Sequence, residues 1–241
     1  MREIVSEIDQ ALRAAGTPAR AAQEKRYLKS ELEHLGAGVP AVRAIAKRLR
    51  RERPGLERAV LLDVASALWA EPVHERRLCA IELLTLYVDR LEANDAALLE
   101  RLLREARTWA LVDPIATNVV GALVTHHPKL GRTLDRWAQD ENFWIRRAAL
   151  LALLVPLRSG GGDFERFGRY ADAMLEEKEF FIRKAIGWVL RETTKKTPER
   201  VVGWLGPRAA RASGITMREA VKHLPERDRR ALLAAGARRG A

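Results

Sequence analysis

The sequence predicts an all-α fold, an α-solenoid of HEAT-like helical repeats with a concave basic face. Three observations predict it. Apolar residues recur at helical spacing, and no stretch alternates convincingly as a strand. Ala, Leu, Arg and Glu dominate a chain that is 47% hydrophobic and 31% charged. Most tellingly, the chain repeats itself. FWIRRAALL from Phe143 matches FFIRKAIGW from Phe180 position by position. A shift back of about 35 residues lays Trp109 under Trp144, and twice that lays Arg76-Arg77 under Arg146-Arg147. Such a unit holds two helices. Neither buries its apolar face alone, so neighbouring units must stack.

The elements follow in order. Ile4, Ile8 and Leu12 define an amphipathic helix over 1–15, broken by Gly16-Thr17-Pro18. A second helix spans 19–33, and LGAGVP at 35–40 reads as a turn. AVRAIAKRLRRE supplies a third helix over 40–51, with Arg43 and Lys47 on one side, stopped by Arg53-Pro54-Gly55. Helices are expected at 57–69, 73–90, 96–107 and 114–126. More follow at 130–139, 142–155, 163–177, 179–194, 198–204 and 215–222. Residues 1–225 are expected to form a single repeat domain. Residues 226–241 read as a basic tail, either a frayed helix or disordered.

Composition bounds the function. Forty-three basic against 32 acidic residues give a formal charge of +11, which favours a polyanionic partner. The single cysteine, Cys79, lies in an apolar run and excludes an intramolecular disulfide framework. None of His34, His74, His126, His127 and His223 shows metal-ligand spacing in sequence, so no metal and no cofactor are expected. His126-His127 before Pro128 reads as a helix end. The charged N-terminus carries no secretory pattern. The longest uncharged apolar run, 148–157, falls short of the ~20 residues of a membrane span. A soluble, cytoplasmic monomer is the expectation.

Chemistry concentrates at 108–121, TWALVDPIATNVVG. On a helix, Trp109 and Asp113 share a face at i, i+4. Asp113 followed by Pro114 equally reads as an N-cap with proline at N1. A carboxylate on a basic surface repels phosphate, so the functional reading gives it chemistry: facing positive charge that develops on a sugar. Trp144 reads as core. Trp188 sits in a row with Lys184, Arg191 and Lys195, a face suited to a nucleic-acid backbone. Arg146 and Arg147 belong to the same repeating basic stripe.

TWALVDPIA, ENFWIRRAALL, KEFFIRKAIGWVLRE, ITMREAVKHL, RYLKSELEHLGAGVPAVR and LWAEPVHERR together resemble the AlkD-type DNA alkylation repair glycosylases, over about residues 20–225. The resemblance implies a HEAT-like solenoid that binds double-stranded DNA. It implies metal-free, monofunctional hydrolysis of the N-glycosidic bond of cationic N3- and N7-alkylpurines, bulky adducts being within the family's range. It carries a cleft of two tryptophans, an aspartate and an arginine onto Trp109, Trp188, Asp113 and Arg147, with Tyr27 at the edge. Lys29, Arg43, Lys47, Arg146, Lys184, Arg191 and Lys195 are the expected DNA contacts. The family often has an acidic residue after the first tryptophan. Here that position is Ala110, turned about 100° away on a helix. The competing reading is a non-catalytic HEAT-repeat scaffold that binds DNA or an acidic protein.

Overall fold

The computed structural model describes residues 1–237. The chain is all-α. Among the described residues, β pairing is confined to an isolated parallel bridge between Glu33 and Val73. It divides into two compact units, Met1–Ile115 and Ala116 onward.

The first unit contains α1 (Arg2–Ala15), α2 (Pro18–Leu28), α3 (Val39–Glu52), α4 (Arg58–Ala70), α5 (His74–Leu86), α6 (Ala96–Ala106) and α7 (Trp109–Pro114). The helix-period triad Ile4, Ile8 and Leu12 is buried as expected. α2 is shorter than expected. Lys29 takes up a left-handed conformation, φ 49°, and ends it. The chain then runs extended, with the Glu33 N–H donating to the Pro72 carbonyl (2.8 Å) and the His74 N–H to the Glu33 carbonyl (2.9 Å). These bonds use backbone groups that a longer helix would have satisfied internally.

Gly36 shows why the LGAG turn contains glycine. Its φ is +80°, and a Cβ there would lie 2.2 Å from the Thr17 carbonyl oxygen. Gly36→Ala is expected to cost about 1–3 kcal/mol through this clash, added to the left-handed backbone. An unchanged urea midpoint would remove the close approach from the account.

The second unit contains α8 (Gly121–His126), α9 (Gly131–Trp137), α10 (Phe143–Leu151), α11 (Leu154–Arg158), α12 (Phe164–Ala173), α13 (Phe180–Thr193), α14 (Pro198–Leu205), α15 (Gly214–Ala220) and α16 (Glu226–Ala237). α13 packs closely on α15, helped by Gly187, where a Cβ would lie 2.6 Å from the Glu219 Cβ. Of the two alternatives for the tail, a helix or disorder, residues 226–237 take the helix. Leu232 is buried, and the helix contacts α14 and α15. Residues 238–241 lie outside the described residues.

Helices start at His74, Trp109, Phe143 and Phe180, so the recurrence seen in the sequence is a recurrence of helix starts. Polar bonds follow the same period. Arg58 pairs with Asp95, the Trp69 indole N–H with Glu105, Tyr170 with Asp135, Lys184 with Glu219, and Arg208 with Asp172. Partners are 35–37 residues apart. Between these bonds sit sealed side chains, Trp69 and Tyr87 in the first unit and Trp137 and Phe167 in the second. Within each unit, neighbouring repeats are thus fastened by core packing and by polar ties.

Candidate active site and nucleic-acid interface

Thr108, not Asp113, starts the helix that carries Trp109. Arg107 ends α6 in a left-handed conformation, φ 49°. Thr108 is extended, and its hydroxyl accepts from the Ala110 N–H at 3.4 Å. Trp109 is therefore the first helical residue, and Asp113 lies inside the helix, one turn on. The N-cap reading of Asp113 falls, because the backbone before it is already helical. Pro114 is inside the helix. Its missing N–H leaves the ladder incomplete, and a π-helical stretch, Ile115–Val120, follows directly.

Trp109 is 36% exposed and Tyr27 is 73% exposed. Their rings meet edge to face, centroids 6.2 Å apart and planes at 85°. Asp113 and Ala110 are half-buried. Beside Trp109 opens a pocket of ≈ 590 Å³, lined by Lys29, Arg77, Glu105, Arg107 and Thr108 among others. Lys29 and Arg107 are exposed. Arg107 has a loose surface pair with Glu31 at 3.9 Å, the kind of contact that water and salt readily dissolve. Lys47 and Arg43 are exposed on α3, Arg43 pairing with Glu82 at 2.9 Å.

The repeated arginine pairs are used differently from expectation. Arg76 donates to the Ala67 carbonyl and Arg77 to those of Trp69 and Glu105. Arg146 donates to the Asp140 and Glu141 carbonyls and pairs with Glu177 at 2.8 Å. Arg183 donates to the Glu177 carbonyl. These guanidiniums satisfy carbonyls at and beyond the ends of preceding helices, groups that have no partner within the helix. Arg146, expected on DNA, is thus half-buried and held by its own chain. Arg147 is 3% exposed, donates to the Phe181 carbonyl and lies 5.8 Å from that ring's centre.

On α13, Trp188 is half-buried. The cations expected around it are each paired with an acid. Lys184 meets Glu219 at 2.6 Å, Arg191 meets both Glu219 and Glu192, and Lys195 meets Glu192 at 2.6 Å. Lys184 and Lys195 keep over two-fifths of their side chains in solvent, so they are buttressed rather than hidden. The sequence reading missed Glu219 and Glu192. The available signal for Glu219 was Lys222 at i+3, one of the residues that now holds it at 2.8 Å. Trp144, read as core, is half-buried in a cluster with Phe143 and Phe181, at 4.5 and 4.8 Å.

Cys79 is buried, and burial pushes its thiol pKa up to about 12, so no thiolate is available. His126 ends α8 as expected. Among the described residues, no helix is long and apolar enough to cross a membrane.

Comparison with known proteins adds the following. A family model described as DNA alkylation repair enzyme matches residues 8–224. A solved structure described as a predicted DNA alkylation repair enzyme from Enterococcus faecalis is 26% identical. The match covers 88% of this chain and 97% of that one, with a TM-score of 0.78. The structure of AlkD2 from Streptococcus mutans is 18% identical over 84% of this chain and 96% of that one, with a TM-score of 0.60, a likeness of fold. No curated protein matches.

Proposed function

Because this chain belongs to the DNA alkylation repair enzyme family, we propose that it is a monofunctional glycosylase that releases cationic N3- and N7-alkylpurines from duplex DNA. The observation that carries this reading is the placement of Asp113. It stands one helical turn from the exposed indole of Trp109, inside the helix instead of capping it.

An N7- or N3-alkylated purine already bears a positive charge, so its bond to C1′ is weak. No strong general acid is needed. The C1′–N bond breaks, and its electron pair leaves with the base, which becomes neutral. The sugar takes on oxocarbenium character. Water adds to C1′ and gives up one proton, leaving an abasic site. A half-buried carboxylate stabilises the cationic sugar more than the neutral ground state of the sugar, and it can accept the proton from water. The face of Trp109 favours nearby positive charge through its quadrupole. Lys29 and Arg107, lining the adjoining pocket, suit phosphate oxygens. Tyr27, Arg43, Lys47, Lys184, Arg191 and Lys195 remain candidates for backbone contact. Trp188 and Arg147 remain candidates to be tested singly by substitution; the burial of Arg147 suits a positioning role.

The direct test is to incubate methylated duplex DNA with the protein and separate the released bases. Release of 7-methylguanine or 3-methyladenine is expected, leaving abasic sites without strand cleavage. Salt-sensitive binding with no base release would move the chain to the scaffold reading.

A further inference from the structure

The first unit also buries an acidic group that, among the described residues, has no cationic partner. Glu75, in the first turn of α5, is fully buried. One carboxylate oxygen accepts from the Gly36 N–H at 2.6 Å and the other from the Leu35 N–H at 3.0 Å. Among the described residues, neither Lys nor Arg reaches it at ion-pair distance. Beside it lies His34, 9% exposed, with neither ring nitrogen hydrogen-bonded. Its ring stacks on His74, centroids 4.7 Å apart and planes 9° off parallel. Buried polar atoms without partners cost free energy, so native structures rarely keep them. Glu24, on α2, completes the cluster. One ligand atom each from Glu24, His34 and Glu75 lies within 4.8 Å of the other two.

We infer that Glu24, His34 and Glu75 bind one divalent transition-metal ion of the zinc class. Two carboxylates and an imidazole supply the donors and the charge that such an ion takes. The nitrogen donor disfavours calcium and magnesium, which prefer all-oxygen shells. Both Glu75 oxygens keep a lone pair beyond the amide they accept, and those amides fix the carboxylate in place, the usual role of groups around a metal ligand. The ligand atoms must draw closer to reach metal bonds of about 2.0–2.2 Å. Glu24 can make that movement. It is half-buried and engaged by Arg20 in a surface pair at 2.7 Å, a contact of small worth.

The ion has a structural use. α2 contains no buried residue, yet it carries Tyr27 one turn after Glu24. A metal joining Glu24 to Glu75 fastens this loosely packed helix to the start of α5. The inference does not depend on the glycosylase reading.

The test uses the full chain freed of metal with a chelator and titrated with zinc chloride. One zinc ion per chain is expected, with a rise in thermal midpoint that magnesium does not reproduce, and slower tryptic cleavage at Lys25 and Arg26. Glu24→Gln and His34→Gln should each weaken zinc binding at least about tenfold. The double variant His126→Ala, His127→Ala should leave it intact. Glu24→Gln keeps the test valid should His34→Gln fail to fold. No uptake of zinc, or uptake that Glu24→Gln leaves unchanged, overturns the inference.

Discussion

Asp113→Asn leaves binding to alkylated duplex within about twofold and lowers 7-methylguanine release by at least about 100-fold, the scale on which loss of one preorganised electrostatic group is felt. The substitution keeps size and shape but exchanges a charged acceptor oxygen for an amide NH2, so it removes both the negative charge and the capacity to take a proton from water. Charge is what the proposed transition state requires, because the sugar becomes cationic there. Asp113 sits within α7, between the fixed start at Thr108 and the irregular turn after Pro114, so its direction is set by backbone rather than by a mobile loop. Binding and thermal midpoint are measured on the same preparation, which separates lost chemistry from lost fold. A variant that still releases bases at the parent rate would exclude Asp113 from the reaction.

The second large effect belongs to stability. Glu219 is buried on α15, and burial alone would raise its pKa. Hydrogen bonds and charges from Lys184, Lys222 and Arg191 outweigh that and hold it down to about 2, against an ordinary 4.5. A carboxylate whose folded pKa is depressed stabilises the fold fully above its unfolded value. That contribution, about 3 kcal/mol, disappears as pH falls from 4.5 through 2. Glu219→Gln should cost up to about 3 kcal/mol at neutral pH, since it removes the charge that Lys184, Lys222 and Arg191 face while leaving those cations partly in solvent. It should also flatten the fall in stability between pH 4.5 and 2. Urea unfolding across that range checks both. If parent and variant show parallel acid profiles, the acid sensitivity originates elsewhere.

Much of the helical frame was legible because helical burial leaves a period in the sequence. Ile4, Ile8 and Leu12 announced α1, and the match between Phe143 and Phe180 announced two helix starts. Two kinds of information were hidden. Local signals competed at Asp113-Pro114, where a common N-cap pattern masked a proline tolerated inside a helix. The other kind is partnership over distance. Arg76 and Arg146 looked like an open cationic stripe because sequence does not reveal which carbonyl a guanidinium will find. Glu24, His34 and Glu75 looked unrelated for the same reason, since the turn at Gly36 brings them together. That Trp109 and Asp113 share one helix was readable because their i, i+4 spacing fits one helical turn.

The ties that recur at one-repeat separation set how the molecule fails. A bond such as Arg58–Asp95 or Arg208–Asp172 links a repeat only to the one beside it. A lesion in one repeat therefore weakens its immediate neighbours and fades beyond them. Probes placed in different repeats should therefore register such a lesion unequally, most strongly beside it.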